Sequence, residues 1–489
     1  MKLKIKRLPI KTGGILVVLL HESDAKLASL EQGDRITLNP SDLRVVVDTT
    51  NSLVEKGEIG VFSDIKGLRS GSYVTVKPTP KPKSVSYIKK KLRGERLSYE
   101  EMFEIVHDIV TGDLTDIEIT YFVSANYIHE LNYEETASLT RAMIDTGDSL
   151  SFDGVVADKH CIGGVAGNRT TVFVVPILAA AGVKTPKTSS RSITSPAGTA
   201  DTMEVMCNVS LSKDKIVDVV NKHGGCLVWG GAIDLAPADD KIIRVEHPVS
   251  LDPTGQLLAS ILAKKKSAGA THCLIDIPYG QGAKIVRKHD ALDLKHKFET
   301  LGKMIDLKLK VVLTDGTEPI GNGIGPALEA RDILYTLKND PRGSKQLLEK
   351  GIILAGELLE LTGTARRGKG HILAQELIDS GKAYAKFVEI IKAQGAKIDD
   401  PDKIKVGAFS KQILSPYTGK VTHVDNRRIS LIAKQAGAPN DKGAGLFLEV
   451  HKKSRVRKGD VLYMIFSNSQ ANLGTAVERA MEDSGIIVK

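Results

Sequence analysis

Between residues 77 and 83 the chain reads Lys77-Pro78-Thr79-Pro80-Lys81-Pro82-Lys83. Alternating proline fixes φ and removes every other backbone donor, so neither a helix nor an internal sheet strand runs through such a segment. It predicts an extended linker and a domain boundary. Before it, short alternating apolar stretches (Ile15 to Leu20, Leu43 to Val47, Ser72 to Val76) are separated by turns containing Gly and Asp. That is the pattern of a small N-terminal β domain, residues 1–83 with the linker included.

After the linker the period changes. Ser98-Tyr99-Glu100-Glu101, Thr115-Asp116-Ile117-Glu118 and Asn132-Tyr133-Glu134-Glu135 each place an N-cap residue three positions before a glutamate, ahead of apolar residues at helical spacing. An α-helical domain is expected over residues 84–150, open to addition of later helices. From there to about residue 400, strands such as Thr271 to Ile277 and Lys308 to Leu313 alternate with Gly-rich turns and helices such as Leu257 to Lys266, an α/β domain over 151–400. Short strands then return, with a final helix from Ala471, giving a C-terminal α+β domain over 401–489. The whole is expected to be a multi-domain α/β protein.

Composition agrees. At roughly 100 to 200 residues per domain, 489 residues make about three, and 42% hydrophobic with 26% charged residues argues against extended disorder. No apolar run reaches the roughly 20 residues that cross a bilayer, and the basic N-terminus does not read as a secretory signal. A cytoplasmic protein with no membrane partner is expected. The four cysteines show no CxxC or zinc spacing, so reduced thiols and no metal are expected. The net charge of +9 suits a small anion as well as a nucleic acid, and aromatics at 4% leave few stacking platforms, so no nucleic-acid partner is expected.

The most informative segment is Asp158-Lys159-His160-Cys161-Ile162-Gly163-Gly164-Val165-Ala166-Gly167-Asn168-Arg169-Thr170-Thr171. Glycines let backbone N–H groups approach an anion, a following helix presents its positive end, and Lys159 and Arg169 supply charge. This reads as a phosphate cradle, although it matches neither the Walker spacing nor GxGxxG. A second donor-rich loop runs from Lys187 through Ser189, Ser190, Arg191, Ser192, Ile193, Thr194 and Ser195 to Thr199 and Asp201; a polar loop with a helix cap at Thr199 is the plainer reading, and a cleft shared with the first loop the sharper one. Asp252, before Pro253, reads either as a helix cap or as an acid able to protonate a leaving group. Ser260 and Lys264 share a helix face. Lys284 ends a third glycine loop at a strand's carboxyl end, where α/β sheets bind ligands, with a solvated surface lysine as the competing reading. Adjacent His160 and Cys161 seldom face each other, which disfavours a thiol nucleophile. Trp229 is read as core rather than as a stacking platform, and the Gly321-Asn322-Gly323-Ile324-Gly325 turn is left without a role.

The run Asp158 to Arg169, the Lys187 to Asp201 loop, Leu235-Ala236-Pro237-Ala238-Asp239-Asp240-Lys241 and Ser260 to Lys266 resemble, in order, the thymidine and pyrimidine-nucleoside phosphorylase family. The added N-terminal domain and the form Ser190-Arg191-Ser192-Ile193-Thr194-Ser195 are most similar to its archaeal branch that splits nucleoside 5'-monophosphates. The resemblance implies phosphorolysis of AMP, with CMP and UMP as further substrates, to free base and ribose 1,5-bisphosphate, by a homo-oligomer without cofactor, inorganic phosphate being the co-substrate. It implies a cleft between the helical and α/β domains. It assigns phosphate to Lys159, Ser189 and Thr199; the nucleotide to Gly164, Ser190, Arg191, Ser192, Ile193, Thr194, Ser195, Thr199, Ser260 and Lys284; the base to Lys264; and proton donation to Asp252. Cys161 departs from the family's serine. Nucleoside phosphorolysis is the nearest alternative, an anthranilate-type phosphoribosyltransferase requiring Mg²⁺ the next, and an RNA-binding or assembly protein the reading from a different class.

Overall fold

The computed structural model describes residues 1–13, 16–192 and 195–489. Ile15, expected in a strand, and Ile193 and Thr194, expected at the nucleotide, lie outside the described residues. Two compact units form: Met1–Thr146 with Pro237–Gln256, and Gly147–Ala236 with Leu257–Lys489.

In the first unit, strand Lys2–Leu8 alternates lysines outward with Leu3 and Ile5 inward. Six such strands close a barrel in the order Lys2–Leu8, Glu58–Phe62, Val17–His21, Leu43–Thr50, Arg35–Asn39, Tyr73–Pro78. Closure removes the unpaired edges that short amphipathic strands would expose. The last strand runs further than the linker reading allows: Lys77 and Pro78 pair with Thr37 and Ile36. A proline ends a strand without breaking the ladder, so the linker shortens to residues 79–83.

Helices Tyr99–Thr111, Asp116–Ile128 and Tyr133–Asp145 carry complete capping boxes at Ser98, Thr115 and Asn132. The buried pair Lys91 and Glu135, at 2.8 Å, ties the preceding helix Ser84–Leu92 to them. A fifth helix, Pro237–Val249, belongs to this unit rather than to the α/β region that surrounds it in sequence. Lys241 donates to the carbonyls of Ile109 and Val110 at 2.8 and 3.0 Å, adding to the Gly112 cap at the end of helix Tyr99–Thr111. The expected span 151–400 is therefore interrupted at 237–256. Only long-range contacts decide which bundle a helix joins.

In the second unit, parallel strands Lys308–Asp315, His272–Tyr279 and Ala157–Cys161 lie side by side, and Thr185–Ser189 pairs in parallel with Gly225–Trp229. A parallel bridge between Val156 and Lys184 joins the two sets. Parallel sheets are covered on both faces, which accounts for helix Thr170–Ala180 being apolar from Val172 onward and buried from Thr170 to Ala179.

The C-terminal region is continuous with this unit. The turn left without a role contributes strand Gly323–Ile324, which pairs with Gly445–Leu448 in a four-stranded antiparallel sheet. The chain ends in a strand, Ile486–Val488, paired with Gly419–Val424, and not in the helix Gln470–Glu482. The β-branched run Ile486-Ile487-Val488 suits that pairing. Among the described residues no helix is long and apolar enough to cross a membrane.

Candidate active site

Three loops leave the carboxyl ends of neighbouring parallel strands. The first follows strand Ala157–Cys161 into helix Thr170–Ala180. Gly164 sits at φ +84°, and a Cβ there would lie 2.2 Å from the backbone nitrogen of Lys284. Only glycine lets the first loop touch the Gly280 to Lys284 loop, which follows strand His272–Tyr279. The second contact is Arg169, whose guanidinium donates to the carbonyl of Ala197 in the Ser/Thr loop after strand Thr185–Ser189. The three loops, the third of which lies about a hundred residues beyond the first two in sequence, are one assembly.

The charges beneath them differ from the sequence reading. Arg169 is not offered to an anion: its Nε lies 2.6 Å from Glu329, and Thr202 donates to the same carboxylate at 2.7 Å. It is a buried clamp. Lys159 is 1% exposed, donating to the Thr170 hydroxyl at 2.9 Å with Asp276 at 3.5 Å. Lys350 lies 3.1 Å from the same Asp276. On the strand's other side Asp158 is held by Lys265 at 2.6 Å and Lys187 at 3.2 Å. Four buried lysines thus share two buried aspartates, leaving a positive potential under the loops that water does not screen. Burial alone would raise the Asp158 carboxyl, but Lys187 and Lys265 outweigh it and hold it below the ordinary range. Burial depresses Lys187 to about 7 despite Asp158. Burial, reinforced by the surrounding lysines, holds His160 well below its usual value, so its ring is neutral at pH 7.

Burial, then Asp276, pushes the Cys161 thiol up, and Asn168 Nδ2 donates to its sulfur at 3.3 Å. That is a thiol, not a thiolate nucleophile.

In the second loop Asp201 organises the backbone, accepting from the N–H groups of Ser192 at 2.8 Å and Gly198 at 2.9 Å. Gly198 is the N-cap of helix Thr199–Met206, so Thr199 is its first residue rather than its cap. Arg191 pairs with both oxygens of Glu204, at 2.8 and 2.7 Å, and its guanidinium lies over the Trp229 ring at 5.0 Å. Trp229 is therefore a platform, but for Arg191. Lys442 of the C-terminal region reaches Asp201 at 3.2 Å and Glu204 at 3.1 Å. Arg191 first, with Lys442, holds Glu204 down to about 2. The Ser189 hydroxyl donates to the Val228 carbonyl at 3.1 Å, and that of Ser195 to Ala197 at 2.8 Å.

Ser260 and Lys264 lie on helix Thr254–Ser267, both half-buried, while Lys265, next after Lys264, points inward to Asp158. Lys284 is exposed. Asp252 is exposed in the first unit, whereas Lys159, Gly164, Ser189 to Ser192, Ser195, Thr199, Ser260 and Lys284 belong to the second. Among the described residues no group of three or more His, Cys, Asp or Glu is placed to hold a metal. Sequence reasoning missed Asp276, Lys350, Glu329, Glu204 and Lys442. A lone carboxylate in the apolar strand His272–Tyr279 was the signal for Asp276; the others carry none, since each depends on a partner far along the chain.

Three family models match: the helical bundle domain of a glycosyl transferase family over residues 85–147, the α/β domain of that family over 153–384, and a pyrimidine nucleoside phosphorylase C-terminal domain over 420–486. An AMP phosphorylase from Pyrococcus furiosus is 47% identical, covering 98% of this chain and 96% of its own. AMP phosphorylase 1 from Archaeoglobus fulgidus is 45% identical, covering 99% and 97%. The chain belongs to the AMP phosphorylase family. Family membership extends over the barrel as well, since these relatives match it end to end, whereas the family models begin after it. Among solved structures, anthranilate phosphoribosyltransferase from Thermus thermophilus superposes with a TM-score of 0.54 at 19% identity, covering 63% of this chain and 99% of its own. That likeness is one of fold.

Proposed function

We propose that this enzyme, a pentosyltransferase, splits AMP with inorganic phosphate. A phosphate oxygen bonds to C1' of the ribose, the bond from C1' to the base nitrogen breaks, and adenine leaves with a proton, forming ribose 1,5-bisphosphate. The observation that carries this reading is the meeting of three donor-rich loops at the carboxyl ends of neighbouring strands, in a chain of the AMP phosphorylase family.

Breaking the glycosidic bond builds positive charge on the ribose, so an anion held beside C1' lowers the barrier to attack by both position and charge. Lys159, Ser189 and Thr199 are assigned to the phosphate. Gly164, Ser190 to Ser192, Ser195, Thr199, Ser260 and Lys284 are assigned to the nucleotide, and Lys264 to the base. The other three lysines of the buried network, Lys187, Lys265 and Lys350, favour anionic ligands without contacting them. Asp252 supplies the proton for the departing base. Asp252 lies in the first unit. CMP and UMP are further substrates in this reading, no metal or redox group takes part, and the working form is a homo-oligomer.

Incubation with AMP and phosphate should yield adenine and a doubly phosphorylated ribose, unaffected by exhaustive chelation. Adenosine and thymidine tested in the same way separate this reading from nucleoside phosphorolysis, which the matched C-terminal domain favours. Asp252→Asn should bind AMP as before and lose about 10² to 10⁴ in turnover. Parental turnover in that variant rules out the acid assignment.

A further inference from the structure

Between Gly164 and Gly167 the first loop is fixed at Ala166 through both of its backbone groups. The Ile320 N–H donates to the Ala166 carbonyl at 3.0 Å, and the Ala166 N–H donates at 3.2 Å to the side-chain oxygen of Asn426. Asn426 is the first residue of helix Asn426–Gln435 in the C-terminal region. Capping that helix falls to Asp425, which accepts from the N–H groups of Arg427 and Arg428, so the Asn426 side chain is left for other partners. It is 1% exposed. The Ala166 methyl is buried in the same hydrophobic core as Ile429, Ile432 and Leu446.

The nitrogen of the same amide serves the third loop. Asn426 Nδ2 donates to the Gly316 carbonyl at 2.9 Å, and the Gly316 N–H donates in turn to the Tyr279 carbonyl at 2.9 Å, where the Gly280 to Lys284 loop begins. Packing there is close: a Cβ on Gly316 would come 2.9 Å from the Ala283 side chain, and one on Gly282 would meet Asn426 Nδ2 at 3.3 Å. One buried amide, accepting at its oxygen and donating at its nitrogen, therefore ties the first loop to the third. An aspartate carboxylate lacks the donor, and an apolar side chain lacks both groups.

We propose that Asn426 is a positioning residue for the nucleotide, setting the separation of Gly164 from Lys284 without touching the ligand itself. The inference rests on the assignment of those two residues to AMP. Gly164 supplies the close approach between the loops, and Asn426 holds the approach in register from beneath, since each of its hydrogen bonds ends on backbone only a few residues from a nucleotide contact or on backbone bonded to that loop. Through this one side chain the C-terminal core becomes part of the site's support. A shift of about 1 Å in such support is enough to cost substantial binding or rate.

The test uses the full chain and three variants. Asn426→Ala and Asn426→Leu both remove the two hydrogen bonds, and Leu keeps the number of heavy atoms. Each should raise the KM for AMP by about tenfold or more, the order expected when buried backbone groups lose their partners, with kcat and the KM for phosphate changed by less than about threefold. Ile432→Ala, in the same core but bonded to neither loop, should lower the thermal midpoint at least as far and leave the KM for AMP parental. Amide exchange over residues 162–169, read by mass spectrometry without substrate, should quicken by about tenfold or more in both Asn426 variants and by less in Ile432→Ala. A parental KM in Asn426→Leu, or an equal rise in Ile432→Ala, overturns the proposal, because the side chain then only fills space or stabilises the core. Exchange separates the two ways of failing. Faster exchange with an unchanged KM means that the clamp exists but that Gly164 and Lys284 do not hold AMP; unchanged exchange means that there is no clamp, whatever the loops bind. A parent that splits no AMP removes the reading and the proposal with it.

Discussion

Gly164 shows how one residue type sets the distance between two loops. Its φ of +84° is strained for any residue with a Cβ, and the added carbon would sit 2.2 Å from the Lys284 nitrogen, so Gly164→Ala must push the Gly280 to Lys284 loop away. Strain of this kind costs on the order of 1–3 kcal/mol. We expect the variant to fold with a lowered thermal midpoint and an AMP KM raised at least several-fold; an unchanged KM would show that the contact does not shape the site. Arg169 teaches the opposite lesson. Its position at the end of a glycine loop reads as an anion contact, yet Glu329, 160 residues away, takes its charge. A residue's chemistry is legible in sequence, but its partner is not.

At the scale of elements, the Ser/Thr loop is held by a cluster drawn from three of them: Arg191 in the loop, Asp201 and Glu204 on helix Thr199–Met206, and Lys442 from the C-terminal region. Lys442 is 38% exposed on its side chain, so solvent discounts its ion pairs, and its effect belongs to loop order more than to stability. Lys442→Met should raise the KM for AMP by about three- to tenfold with kcat changed less, and Lys442→Arg should restore most of the loss; steady-state kinetics of the three proteins decide. Equal losses in both variants would assign the residue to packing instead. The capping boxes at Ser98, Thr115 and Asn132 were readable because capping is local in sequence. Which member of Lys264-Lys265-Lys266 turns inward was not, since successive helix positions point about 100° apart and only Asp158, over 100 residues away, selects Lys265.

On the scale of the whole molecule, the Gly321 to Gly325 turn stitches the C-terminal sheet to the α/β region, and buried Asp332 holds it, accepting from the N–H of Asn322 at 2.7 Å and of Gly323 at 3.4 Å. Burial raises the Asp332 carboxyl to about 6. A carboxyl raised above its unfolded value of 3.8 favours the folded state below that value, and the advantage disappears as pH climbs through about 6. Chemical denaturation of the parent and Asp332→Asn at pH 5 and pH 7 should therefore show the parent losing ground to the variant as pH rises, by an amount on the order of 1 kcal/mol. A pH-independent difference would mean that Asp332 does not titrate in that window.

The sequence by itself determined the kinds of element, most of their starts, the linker's place and the chemistry of the glycine and Ser/Thr loops, because caps, periodicity and backbone permissiveness act over a few residues. Tertiary structure alone decided that helix Pro237–Val249 joins the barrel's unit, that Arg169 is a clamp, and that four lysines share two aspartates. Those outcomes rest on burial and charge pairing between residues far apart in the chain, and such energies exist only once the parts are packed together.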